Sequence, residues 1–210
     1  MLRCRCWRWT RNTLRAGRWP DASFPLSHTL QGRRAGILGL GNIGKAVARR
    51  LEAFGVPIAY CGRSPQPDVP YAYYPDPVAL AEASDLLVVI VPGGPATEHL
   101  VDARVLAALG PQGVLINVAR GSVVDEAALI AALRSGTIQA AGLDVYADEP
   151  HVPEALIALE NVVLLPHIGS ASIQTRAAMG QLVVDNLTAW FAQGKPLTPV
   201  AECRGILERP

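Results

Sequence analysis

Three glycines, Gly39, Gly41 and Gly44, follow a short apolar run at Ala35 to Leu38 with the spacing Gly-x-Gly-x-x-Gly. Glycines so spaced between a strand and a helix bring bare backbone N–H groups against a pyrophosphate, so the chemistry on offer is the binding of a dinucleotide. Gly39 permits the sharp turn, Gly41 keeps a side chain out of the way of the phosphates, and Gly44 lets the helix lie close on the strand. About 20 residues on, a site for the unphosphorylated cofactor usually carries Asp or Glu to accept from the ribose hydroxyls. This chain has Cys61, Gly62, Arg63 and Ser64 there. A carboxylate would repel a 2′-phosphate, whereas Arg63 and Ser64 can bind one, so NADPH is the expected preference and NAD is possible. The plain alternative for Arg63 is a solvated loop cation.

These residues need strands and helices to place them. Apolar runs at Ala35 to Leu38, Val56 to Tyr60, Asp85 to Val91, Gly113 to Asn117, Ile138 to Leu143 and Asn161 to Leu165 read as strands. Helical patterns separate most of them, the alternation of a parallel sheet covered on both faces. The fold class expected is therefore α/β, a Rossmann-type doubly wound parallel sheet. The first helix spans 42–54, with Ile43, Val47, Leu51 and Phe54 at helical spacing. Asp102 and Asp125 stand before apolar periodic segments as helix starts, and Ser135 with Gly136 marks a stop. A long helix is expected from about Ser172 to Gln193, closed by Gly194 and Pro196. The stretch from Ser64 through Pro77 holds five prolines and predicts a loop before a short helix at Val78 to Ala83.

With 210 residues, half of them hydrophobic, the chain can bury a substantial core. Its apolar runs are shorter than the roughly 18 to 20 residues of a membrane helix, so no membrane partner is expected. The net charge of +1 hides an asymmetry, because six arginines precede the first acid, Asp21, and the remainder is acidic. No nucleic-acid partner is expected of such a body. Cysteines at 4, 6, 61 and 203 have neither metal-site nor disulfide-framework spacing, so no metal and a reduced, cytoplasmic setting are expected.

Four blocks taken together resemble the D-isomer-specific 2-hydroxyacid dehydrogenases. They are Arg15 to Trp19 with the glycine turn, Leu115 to Glu126, Gly142 to Pro150 and Leu165 to Ala171. Within that family the glyoxylate and hydroxypyruvate reductases are most similar, through Val91 to Gly94 and Cys61 to Ser64. The resemblance implies a small 2-keto or 2-hydroxy acid substrate, a homodimer through the cofactor domain, and Arg120, Glu149 and His167 as the catalytic set. Their types suit the reduction of a 2-keto acid. An arginine offers a planar, permanently charged fork to a carboxylate or carbonyl. A histidine gives up a proton near neutral pH. A glutamate beside it orients the imidazole and favours its charged form. Taken singly, Arg120 reads as a surface ion-pair partner, His167 as a loop or core residue and Glu149 as a turn acid. His28, His99 and His151 read as structural or exposed.

The resemblance also implies cofactor contacts from Asn42 and Ile43 at the pyrophosphate turn, from Val91, Pro92 and Thr97 after the third strand, and from Val118, Asp144 and Gly169. Thr97 equally suits a helix cap, and Asp144 a strand-end acid. The expected organisation is an atypical Arg-rich start at 1–14, a cofactor-binding domain at 15–170 and a C-terminal helix and tail at 171–210. Family members carry a further N-terminal lobe, and only 38 residues precede Gly39. The substrate lobe is thus expected to be truncated and the final helix to lose packing surface. The alternatives are a cofactor-binding or dimerisation module without catalysis, and a corepressor of the same fold.

Overall fold

The computed structural model describes residues 29–200, together with Ala16, Gly17, Trp19 and Cys203. The start at 1–14, Arg15, Arg18 and His28 lie outside the described residues, as do Cys4 and Cys6.

Seven strands form one parallel sheet: β1 (Ala35–Leu38), β2 (Ile58–Cys61), β3 (Ala72–Tyr74), β4 (Leu86–Val89), β5 (Val114–Asn117), β6 (Ala140–Leu143) and β7 (Val162–Leu164). Their order is β3-β2-β1-β4-β5-β6-β7, every neighbouring pair parallel. This is the doubly wound order, in which the chain returns to the centre after β3 and then proceeds the other way. The helices are α1 (Asn42–Glu52), α2 (Pro77–Glu82), α3 (Ala103–Leu109), α4 (Glu126–Ser135), α5 (Glu154–Ile157) and α6 (Ile173–Gln193). β1 and β4 are buried along their whole length. They read as unbroken apolar runs because both faces of the sheet are covered. Leu38 joins a cluster with Leu80, Leu106 and Leu129 from α2, α3 and α4, while its neighbour Ile37 packs with Ala48 of α1 and Tyr60.

Aspartates cap three of the helices. The side chains of Asp76, Asp102 and Asp125 accept from backbone N–H groups at Ala79, at Arg104 and Val105, and at Ala128. These caps satisfy donors that a helix start otherwise leaves open.

Three features differ from the sequence expectation. The proline-rich stretch before Pro77 contains an edge strand, β3, whose Tyr73 meets Tyr60 with ring centroids 5.4 Å apart. Pairing on one side and that ring contact hold three residues that carry no local strand pattern. The short helix α5 was not expected at all. On α1, Gly44 lies against β1 as the turn requires, Ala48 is buried beside it and Val47 and Leu51 pack on the core, whereas Ile43 is exposed and the helix ends at Glu52, before the exposed Phe54.

The described chain divides into two compact units between His167 and Ile168. In the second, α6 is capped by Ser172, whose Oγ accepts from Thr175 N, and closed by Gly194 in the left-handed conformation. Asn186 of α6 holds the tail through hydrogen bonds with Thr198. Among the described residues no helix is long and apolar enough to cross a membrane.

Candidate active site

At the reversal of strand order the loops after β1 and β4 part, and a ligand crevice is expected beyond their carboxyl ends. A cleft of about 1000 Å³ lies there. One wall is the glycine turn. Gly39 has a φ of 103°, and a Cβ on it would come within 2.8 Å of the Ile90 carbonyl oxygen. A Cβ on Gly44 would land on the Gly39 carbonyl, so this glycine sets the approach of α1 to β1. A Cβ on Gly41 would project into open space, which leaves the turn smooth where a phosphate would approach. The first intrahelical bond of α1 runs from Lys45 N to Gly41 O. The N–H groups of Asn42, Ile43 and Gly44 therefore have no helical partner, and no acid stands in the first turn. The turn is thus built to receive an anion such as a pyrophosphate.

The opposite wall comes from the loops after β5 and β6. Asn117, buried at the end of β5, accepts from Ala119 N through Oδ1 and donates to Arg120 O through Nδ2. This clamp shapes the residues between and presents Val118 and Arg120 to the cleft. The Arg120 guanidinium donates to the Ala119 carbonyl at 2.6 Å, and its stem lies against Gly93, where a Cβ would come 2.7 Å from Cγ. Gly121 lies so close to the backbone of Tyr146 and Ala147 that a side chain there would strike it.

Glu149 and His167 meet in this wall: Nδ1 of the imidazole is 2.7 Å from Glu149 Oε2. The other carboxylate oxygen, Oε1, accepts from Tyr146 N at 3.0 Å. The imidazole hydrogen bond foremost, then that backbone N–H, hold the Glu149 carboxyl below the usual carboxylate range. The Tyr146 hydroxyl donates to Leu165 O at 2.9 Å, so one residue ties the Glu149 loop to the His167 loop. Its phenol is pushed up chiefly by burial. His167 itself has a φ of 50°, a backbone conformation that residues other than glycine rarely adopt. Asn117 and Tyr146 carried no motif signal of their own; a polar residue at a buried strand end is the clue that could have found the first.

Of the residues singled out from the sequence, the cleft gathers Gly41, Asn42, Ile43 and Gly44 on one wall, Val91 and Pro92 between, and Val118, Arg120, Glu149 and His167 on the other. Gly39 stands just behind. Arg63 and Ser64 are exposed beyond the end of β2, outside that cleft but on the same edge of the sheet, where Gly39 N donates to Cys61 O. Thr97 closes a 3-10 turn and spends its hydroxyl on the Pro92 and Gly94 carbonyls. Asp144 is buried at the end of β6 and does not line the cleft. Gly169 belongs to the second unit. His99 and His151 are exposed, the latter beside Asp148 at 3.6 Å. Cys61 is buried, which raises its thiol. Among the described residues no group of three or more His, Cys, Asp or Glu side chains is placed to hold a metal.

Residues 1–169 match the model of the D-isomer specific 2-hydroxyacid dehydrogenase NAD binding domain. Glyoxylate/hydroxypyruvate reductase A of Arabidopsis thaliana is 52% identical over 197 residues, 94% of this chain and 62% of that protein. The 2-ketogluconate reductase of Gluconobacter oxydans is 46% identical over 187 residues, 89% of this chain and 60% of that one. Among solved structures, the NADPH-dependent glyoxylate/hydroxypyruvate reductase of Sinorhizobium meliloti in complex with NADP and malonate superposes with a TM-score of 0.89 at 58% identity. That match covers 94% of this chain and 62% of the other. The chain thus spans about three-fifths of the length of these relatives. Sheet order, glycine turn and the domain match agree, and the chain belongs to the D-isomer specific 2-hydroxyacid dehydrogenase family.

Proposed function

We propose that the chain is the cofactor lobe of an NADPH-preferring 2-keto acid reductase of the glyoxylate/hydroxypyruvate type. The observation that carries this reading is the 2.7 Å Glu149–His167 pair, set in the same cleft as Arg120 and the open N-terminus of α1. Asn42, Ile43 and Gly44 would hold the pyrophosphate, with Val91, Pro92 and Val118 along the cleft. Arg63 and Ser64 would take the 2′-phosphate, for which two cationic or hydroxylic donors without a carboxylate are suited. When bound, the dinucleotide supplies the hydride.

The residues of the chain do the rest. Arg120 holds the substrate carboxylate and polarises the carbonyl. Glu149 accepts from Nδ1–H of His167, which fixes the tautomer and leaves Nε2 to give its proton to the carbonyl oxygen. The family likeness further supports a homodimer through this lobe, and the cysteine spacing a reduced, cytoplasmic setting.

Titrating the purified chain with NADPH by fluorescence, beside turnover of glyoxylate and hydroxypyruvate, tests the reading. Binding with turnover is expected of a reductase. Binding without turnover identifies a cofactor-binding module, and tighter binding of NADH than of NADPH overturns the cofactor assignment.

A further inference from the structure

Between β2 and β3 the segment 62–71 carries Arg63 and Ser64 and three prolines, Pro65, Pro67 and Pro70. Prolines lack the N–H that a regular ladder would use, so side chains must hold such a loop. Five side-chain contacts do so, one of them the Tyr71 hydroxyl donating to Glu52 Oε2 at 3.0 Å. The hydroxyl of Tyr60, whose ring is buried in the core, accepts from Gln66 N at 2.6 Å. The Gln66 side chain donates through Nε2 to the carbonyl of Leu40 at 2.8 Å. Tyr73 donates its hydroxyl to Gly62 O at 3.4 Å, and Lys45 of α1 meets Asp68 at 2.8 Å.

Leu40 sits between Gly39 and Gly41, so the Gln66 amide joins the loop that bears Arg63 directly to the turn that would bear the pyrophosphate. We propose that Gln66, seated by Tyr60, is a positioning residue for 2′-phosphate recognition, which fixes the spacing between the phosphate turn and the Arg63–Ser64 segment. The inference rests on the NADPH reading above. A loop already held in place loses little freedom when it binds, and that saving is realised only by a ligand that engages it. NADPH would engage Arg63 and Ser64 through its 2′-phosphate; NADH offers only an uncharged 2′-hydroxyl there. Loosening the loop must therefore weaken NADPH selectively, whereas damage to the fold would weaken both.

The experiment measures Kd for NADPH and NADH on the purified chain by nicotinamide fluorescence, with 2′,5′-ADP and 5′-AMP as competitors. Gln66→Met keeps the length of the side chain and removes its donor. It is expected to raise the NADPH Kd about fivefold and to leave NADH within about twofold, the scale of one lost neutral hydrogen bond. The 2′,5′-ADP affinity should follow NADPH and that of 5′-AMP should not move. Tyr60→Phe, which keeps the buried ring, should shift the ratio in the same direction and decides the matter if Gln66→Met fails to fold. Arg63→Ala tests the underlying assignment. If it abolishes NADPH selectivity while both loop variants leave the ratio unchanged, the positioning role of Gln66 is wrong and the cofactor assignment stands. If the unaltered chain shows no NADPH preference, the assignment fails and the inference with it.

Discussion

At the scale of residues, the site depends on one carboxylate with two tasks. Glu149 accepts from the imidazole of His167 and from the backbone of Tyr146, so it orients the ring and anchors its own loop. Replacing His167 with Asn should lower kcat about 100-fold or more, the scale of a lost general acid, with the NADPH Kd unchanged. A parallel loss of NADPH binding would place His167 in cofactor binding instead. The lowered pKa of Glu149 has a second consequence. Its contribution to stability is full above the usual glutamate value of about 4.3 and disappears as pH falls through the lower folded value. The difference in thermal midpoint between the chain and its Glu149→Gln variant should therefore persist at neutral pH and close as pH falls below the usual glutamate range. A difference independent of pH would show that the pair adds no charge-dependent stability. The types of Arg120, Glu149 and His167 were legible in the sequence, but the 2.7 Å contact across 18 residues was not, because it depends on where two loops end.

Elements place these residues through small side chains and caps. The burial of Gly44 and Ala48 shows that α1 sits on the sheet by close backbone approach. Gly44→Ala should cost about 1–3 kcal/mol, because the added methyl meets the Gly39 carbonyl and must push the helix away. Thermal melts with NADPH titration read this, and a variant of unchanged stability would mean the helix can shift freely. At α4, Asp125→Ala should cost about 1 kcal/mol by removing the cap on Ala128 N, without altering the NADPH Kd. Helix starts at Asp102 and Asp125 were readable because a capping side chain acts within its own turn. The edge strand β3 was not, because its three residues take their pairing from β2 and their ring contact from Tyr60.

At the scale of the molecule, a parallel sheet with a reversal at its centre leaves a crevice at the carboxyl edge, and the glycine turn and the Arg120 loop both open on it. The proposed homodimer through the cofactor lobe predicts the mass of two chains by light scattering at micromolar concentration. A single-chain mass would remove the dimer while leaving the cofactor reading intact.

The amino-acid sequence by itself determined the α/β alternation, the glycine turn, the capped helix starts and the identity of the polar groups that could do chemistry. Each is local: a periodicity of burial, a turn that needs glycine, a cap three residues from its donor. Only the tertiary structure decided which of them share a cleft, that Ala48 joins Gly44 against the sheet while Ile43 is exposed, and that Gln66 reaches Leu40 of the glycine turn. Those outcomes depend on strand order and loop ends, which bring together groups that no spacing along the chain relates.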